Sequence, residues 1–392
     1  VIDFDALVYF VRPNTVAKTT WDDVPADIRT TFDKLGIPKA EQEMFAGVGA
    51  QFDSETIYHN LKAEWEDQGV IFSHMDEAVE KYPELVEKFF MTTCVPVHDH
   101  KFAMLHAAVW SGGTFIYVPP DVKVTIPLQA YFRMNEKHGG QFEHTLIIAD
   151  KGSELHYIEG CSAPRFNVQS LHAGCVEIHV MEGARVRYSS IENWSKNTFN
   201  LNTKRALVDK GGVMEWVNGN FGSGMTMLYP TSVLRGEGAR SDFLGVAFAG
   251  EGQVQDTGAK MIHVAPRTSS TIRSKTVSKD GGKSVYRGYV HVAPKADGVT
   301  SSVVCDALLL DPASKSDTLP TMKVENATST VVHEASAGRI GDDELFYLAS
   351  RGIGTDDARR MLVNGFIDPV VRALPLEYAV ELNKLIDLEM ES

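Results

Sequence analysis

Four cysteines, Cys94, Cys161, Cys175 and Cys305, are scattered through the 392 residues with no CxxC pair, so any thiol chemistry must be assembled by folding. Cys305 and His333 stand 28 residues apart, with Glu334 next to the histidine. Thiolate, imidazole and carboxylate within reach of one another suit iron or an iron–sulfur cluster. The alternative is a buried thiol under a surface His–Glu pair. A second group centres on Cys161, with Glu192, then Trp194 two residues on, Lys204, and Arg133 lying 28 residues before the cysteine. Cationic groups beside a thiol lower its pKa, so Cys161 reads as a reactive thiol or, equally, as part of an ordinary polar interior. His98, His100 and His106 in HDHKFAMLH have the local spacing of a metal ligand set. Closely spaced histidines near a boundary are more often polar surface. Cys94 and Cys175 have no neighbours that distinguish them from small core residues.

These residues come together only if the chain repeats itself, and it does. LIIADKGSELHYI, EIHVMEGARVRYS, RALVDKGGVMEWV, SVLRGEGARSDFL, MIHVAPRTSSTIR and YVHVAPKADGVTS share one layout of strand, turn and strand. Their turns at Gly152, Gly183, Gly211, Gly238, Pro266 and Pro294 are separated by 31, 28, 27, 28 and 28 residues. A period near 28 with two strands per unit and no helical pattern predicts stacked coils, a parallel β-helix. One repeat then places Cys305 beside His333 on neighbouring coils, about 5 Å apart. Cys161 and Glu192, each nine residues past a turn glycine, stack in the same way. The insertion DPASKSDTLP at 311–320 is the one place where this register is open to a break.

Around the repeats the pattern is helical. Residues 1–97 form an α-rich N-terminal region: Ile28, Phe32 and Leu35 recur at helical spacing, and the pattern from Met75 to Phe90 is interrupted by Pro83. Residues 98–335 form the β-helix core, and 336–392 a C-terminal helical domain. There Thr355 is the expected N-cap, and Ala379, Leu382, Ile386 and Met390 make an apolar stripe that caps the solenoid or docks a partner. A net charge of −14 argues against nucleic acid as a partner. No apolar run has the length of a membrane helix and no signal peptide opens the chain, so a cytoplasmic location is expected. Phosphate-binding GxxxxGK[ST] loops, GxSxG elbows and HExxH helices are all missing from the sequence.

The stretches GVGAQFDSE, YFRMN, GQFEHTLIIADKGSELHYIEGCSAP, LHAGCVEI, ENW, TKRAL, QDTGAKMIH, VYRGYV, VVCDALLL, HEA and VNGF, in this order, resemble the SufB/SufD family of the SUF iron–sulfur assembly system. Cys305 in CDALLL followed by His333-Glu334 is similar to its SufB branch. The resemblance implies a right-handed parallel β-helix, a transient iron–sulfur cluster, and a scaffold role rather than an enzyme of its own. It implies as partners the ATPase SufC, docked on the C-terminal helical domain and the only route by which ATP enters. It also implies SufD or a second SufB copy joined through the last coils, and the sulfur donor of the cysteine desulfurase system. Cys161 is then the acceptor of persulfide sulfur, with Arg133, Asn135, Trp194 and Lys204 along its route and Glu192 where many relatives carry Gln. Cys305, His333 and Glu334 match the place of cluster assembly. Val332 stands where some relatives have another Glu, and a cysteine motif nearer the N-terminus of longer relatives is missing. A reduced flavin accompanies some complexes of the family, and no residue pattern here marks a flavin site. The rival readings are a SufD-like structural subunit without a cluster site, and a β-helix carbohydrate-active enzyme. The latter needs paired carboxylates at repeat spacing that the chain does not offer.

Overall fold

The computed structural model describes residues 2–5, 7–9, 47–52, 55–61, 63–133, 140–162, 169–372, 374 and 376–391. The helix expected at Ile28, Phe32 and Leu35 lies outside them, as do Asn135 and Pro375. The protein is mainly β, a parallel β-solenoid of about seven turns with helices before and after it. One wall is a ten-stranded sheet that ends in Val213–Gly222, Arg240–Ala249, Ser269–Ser278, Thr300–Leu309 and Thr330–Arg339. Its register joins Glu154, Arg185, Val213, Arg240, Ser269, Thr300 and Thr330 in one file.

Backbone conformation explains the turn glycines. Gly183, Gly211 and Gly238 have φ of 69°, 64° and 70°. A Cβ at Gly211 or Gly238 meets nothing within 4 Å, so the left-handed backbone, rather than lack of room, selects glycine. The next coil shows the same point. Arg267 takes the position at φ 55°, its N–H donating to Asp297 O at 2.7 Å as that of Gly238 donates to Pro266 O at 3.1 Å. The left-handed residues are therefore Arg267 and Gly298 (φ 66°), not Pro266 and Pro294, and the late coils are longer than the sequence spacing predicts.

The opposite wall changes along the solenoid. In the early coils it is split into short strands, such as Met225–Leu228 and Thr231–Leu234, with Pro230 between them. Val254–His263 then runs unbroken alongside both. It passes the junction at Gly258, where a Cβ would sit 2.0 Å from Arg287 O. Inside, side chains stack coil on coil: Tyr157, Tyr188, Trp216, Phe243, Ile272 and Val303 face one another in register. The first three have ring centroids 5.6 and 5.4 Å apart. Each such side chain removed from water stabilises by about 1.5–3 kcal/mol.

The N-terminal region holds strands as well as helices. Gly47–Phe52 and Glu55–Leu61 form an antiparallel hairpin that extends the ten-stranded sheet, and Ile71–His74 pairs with Thr114–Val118. Among the described residues its helices are α1 (Ala63–Glu66), α2 (Met75–Lys81), α3 (Pro83–Phe89) and α4 (Lys101–Val109). Pro83 opens α3 at a position where its missing N–H costs nothing. The outer surface of the second sheet carries Leu146 and Ile148 against Met75, Ala78 and Phe89. At the other end are α5 (Asp342–Ser350), α6 (Thr355–Val371) and α7 (Leu376–Glu391), with Gly354 rather than Thr355 as the N-cap of α6. The stripe of Leu382 and Ile386, with Val363 and Ile367, packs on Ile158, Ile191, Val217 and Val277 of the ten-stranded sheet. No helix is long and apolar enough to cross a membrane among the described residues.

Candidate functional site

Two thiols, Cys161 and Cys305, point into the solenoid, and a file of mostly polar residues runs from beside the first to the second. Cys161 faces Glu192 across adjacent strands, as the turn spacing predicts. From the wall opposite, Lys204 donates to Glu192 Oε1 at 2.6 Å and to Ser190 Oγ at 3.1 Å, and lies 3.7 Å from Glu159 Oε1. Asn200 Nδ2 donates to the other Glu192 oxygen at 2.5 Å. His172 bonds to Asn200 Oδ1 at 2.8 Å and forms a close ion pair with Glu143, its ring 4.2 Å from that of Trp194. Every one of these side chains is buried.

The electrostatics differ from the expectation of an activated thiolate. Burial pushes the Cys161 thiol well above its ordinary range, and Glu159, Glu192 and Glu143 push it further, outweighing Lys204. The thiol is neutral. Burial also raises Glu159 despite Lys204, whereas Glu192 is held below the usual carboxylate range by Lys204 and His172, against its own burial. Glu159 Oε1 is the acceptor nearest the thiol, 3.8 Å from Sγ. Cys161 thus has a proton acceptor beside it that the sequence spacing did not single out. Arg133 does not stack on Cys161: Phe132 faces the cysteine and Arg133 faces Ser162, one residue out of register.

From Glu159 the interior file continues through Ser190, Asn218, Gly245 and Ser274 to Cys305, each facing the next across adjacent strands. Five strand spacings make this about 24 Å. A small cavity bordered by Asn218, Gly245 and Ser274 interrupts the packing midway. At the far end Cys305 Sγ lies 3.2 Å from His333 Nε2. The coil here is longer than 28 residues, since Cys305 faces Ala335 and His333 faces Val303. A two-residue slip keeps a side chain on the same face, so the predicted contact forms in spite of it. Glu334 alternates outward on an exposed position. It meets the thiol only through its backbone carbonyl, 3.5 Å from Sγ, so its carboxylate is not brought to the pair. Burial and Asp306 push Cys305 up to about 11.

The HDHKFAMLH histidines also part company. His98 is exposed, His100 caps α4 by accepting from Phe102 N at 3.2 Å, and His106 is buried elsewhere.

Comparison with known proteins gives this architecture a family. The model described as the SufBD core domain of SUF system FeS cluster assembly matches residues 132–366, and that of the SufBD protein N-terminal region matches 22–130. The chain belongs to the SufB/SufD family. Iron-sulfur cluster assembly SufBD family proteins of Staphylococcus saprophyticus and of Staphylococcus aureus strain MRSA252 are each 54% identical to it over 390 residues, covering 100% of this chain and 84% of theirs. As a SufB/SufD protein it is an iron–sulfur cluster assembly protein. Glu159, Glu143, His172 and Asn200 are the interior residues that sequence reasoning missed. Glu159 shares a strand face with Cys161, and His172 with Asn200 repeats the 28-residue interval.

Proposed function

We propose that this chain is a SufB-type scaffold subunit, taking sulfur at Cys161 and building the cluster at Cys305 and His333. The observation that carries this reading is the Cys305 Sγ to His333 Nε2 contact of 3.2 Å on the penultimate and last coils of one wall. A structural subunit has no need for a thiol–imidazole pair at its open end. Incoming iron is a substrate here; the imidazole and thiolate hold it, and further ligands come from a partner chain or from sulfide.

Sulfur uptake is a thiol–persulfide exchange. Cys161 loses its proton to Glu159, and the thiolate attacks the outer sulfur of the donor persulfide. A new S–S bond forms at Cys161 as the donor thiolate leaves. Releasing that sulfur as hydrogen sulfide consumes two electrons and two protons, so a two-electron reductant of the thiol or reduced-flavin class must act. Lys204 and Trp194 frame this step, Lys204 by holding Glu192 ionised. Arg133 and Asn135 are proposed to serve the same sulfur-transfer route. The C-terminal helices are proposed to dock the ATPase SufC, which alone brings ATP, and the last coils to join SufD or a second copy.

Anaerobic reconstitution of the assembled complex tests the assignment. Cys305→Ser should remove the cluster absorbance, and His333→Ala should lower it, with thermal stability changed by no more than about 1–2 kcal/mol. Full cluster yield in Cys305→Ser would favour the SufD-like reading instead.

A further inference from the structure

A second thiol–imidazole cluster sits on the outer surface of the second sheet, under the N-terminal helices and apart from the solenoid interior. Cys175 faces His144 across adjacent strands, and α4 brings His106 to them. One ligand atom from each of His106, His144 and Cys175 lies within 4.8 Å of the other two, and all three residues are buried.

His106 Nδ1 is 3.0 Å from Ala173 O. A carbonyl only accepts, so Nδ1 carries the proton and Nε2 of the neutral ring has a lone pair. That lone pair faces His144 Nδ1 at 3.1 Å. His144 Nε2 lies 3.2 Å from Glu177 Oε2, yet it is buried with no hydrogen-bond partner among the described residues, and Glu177 accepts instead from the Met91 and Val95 N–H groups. With its proton on Nε2, the His144 ring would turn a second lone pair toward that of His106, and one cation would take both. Tetrahedral ligation with metal–nitrogen bonds of about 2.0–2.1 Å separates two nitrogens by roughly 3.3 Å, close to the spacing found. The carbonyl on His106 is an outer partner of the kind that orients a metal-bound imidazole, and the Glu177 carboxylate stands 3.2 Å from His144 Nε2.

We infer that His106, His144 and Cys175 form a divalent transition-metal site of the zinc or iron(II) class that ties α4 to the solenoid. Two imidazoles and one thiolate match the preference of these ions. A fourth donor is at hand in the adjoining group of Cys94, Glu177 and His179, whose ligand atoms are likewise within 4.8 Å of one another. His179 Nε2 is buried there with no hydrogen-bond partner among the described residues. Neither Cys161 nor Cys305 takes part, so the inference stands or falls apart from the scaffold reading.

The test uses the full chain, stripped with a chelator and titrated separately with Zn2+ and Co2+. About one equivalent should bind. Co2+ should give the d–d absorption of a tetrahedral site with a thiolate charge-transfer band, and Zn2+ should raise the melting temperature. Cys175→Ser should lose the charge-transfer band, Glu177→Gln should weaken Zn2+ binding about 10–100-fold, and Cys305→Ser should change neither. If Cys175→Ser does not fold, Zn2+ protection of Cys175 from alkylation in the wild-type chain, read by mass spectrometry, replaces it. A stripped wild-type chain that takes up neither ion overturns the proposal. So does Co2+ absorbance unchanged in folded Cys175→Ser, or Cys175 alkylated equally fast with and without Zn2+.

Discussion

Lys204 is fully buried, and Glu192 and Glu159 hold its ammonium above the ordinary range although burial opposes the charge. Around it lie Glu192, Glu159 and Glu143, with His172 paired to the last. Such a cluster is stable only while complete, because removing one member strands its partners' charge in a low-dielectric interior. Lys204→Met should therefore cost about 3–5 kcal/mol in chemical denaturation. Adding Glu192→Gln should recover part of the loss, since it removes the stranded charge rather than a contact. Equal and additive losses in the double variant would mean that the pair contributes packing alone. The same arrangement keeps Cys161 protonated, so the sulfur uptake proposed for it rests on Glu159 as acceptor and not on a pre-formed thiolate.

Among the C-terminal helices, two surfaces have different jobs. The stripe on α7 is spent on the molecule's own solenoid, where Leu382 and Ile386 are buried against the ten-stranded sheet. Deleting 336–392 would uncover Ile158, Val217 and Val277, so a truncated chain is a poor test of partner docking. Among the described residues, the large apolar side chains left exposed on these helices are Phe346 and Tyr347 on α5, at 75% and 58%, and Met361 on α6. Leu382→Ala should destabilise by about 2–5 kcal/mol. Phe346→Asp with Tyr347→Asp should leave the melting temperature in place and abolish capture of the ATPase subunit in a pull-down. Undiminished capture by that double variant would move the docking surface off α5.

At the scale of the whole molecule, the solenoid is closed at one end and open at the other. The early coils are covered by the N-terminal hairpin and helices, while Lys315–Val324 and Thr330–Arg339 end the two walls with mostly exposed side chains. Leu319, Met322, Val324 and Val332 are large apolar residues left in water there. Unpaired strand edges with apolar side chains are templates for another chain, and the Cys305–His333 pair lies on this same end. Met322→Lys with Val332→Lys should convert a dimer or SufD heterodimer to monomer in sedimentation and lower cluster yield with it. A monomeric wild-type chain that assembles full clusters alone would remove the need for a partner's ligands.

The coil is legible in the order of residues alone. Left-handed turns favour glycine at Gly152, Gly183, Gly211 and Gly238, and the interval from Gly152 to Gly183 is the one that stacks Glu192 on Cys161. The contact of Cys305 with His333 was legible too, because side chains alternate with period two and the slip at that coil is even. The slip at Arg133 is odd, and there the spacing misled. Contacts between elements that no repeat joins emerge only in the folded chain. Lys204 meets Glu159, Asn200 meets Glu192, and His106 meets His144 and Cys175, through space that no repeat interval encodes. The charge state of Cys161 belongs with these, since burial and three converging carboxylates, not its sequence neighbours, set it.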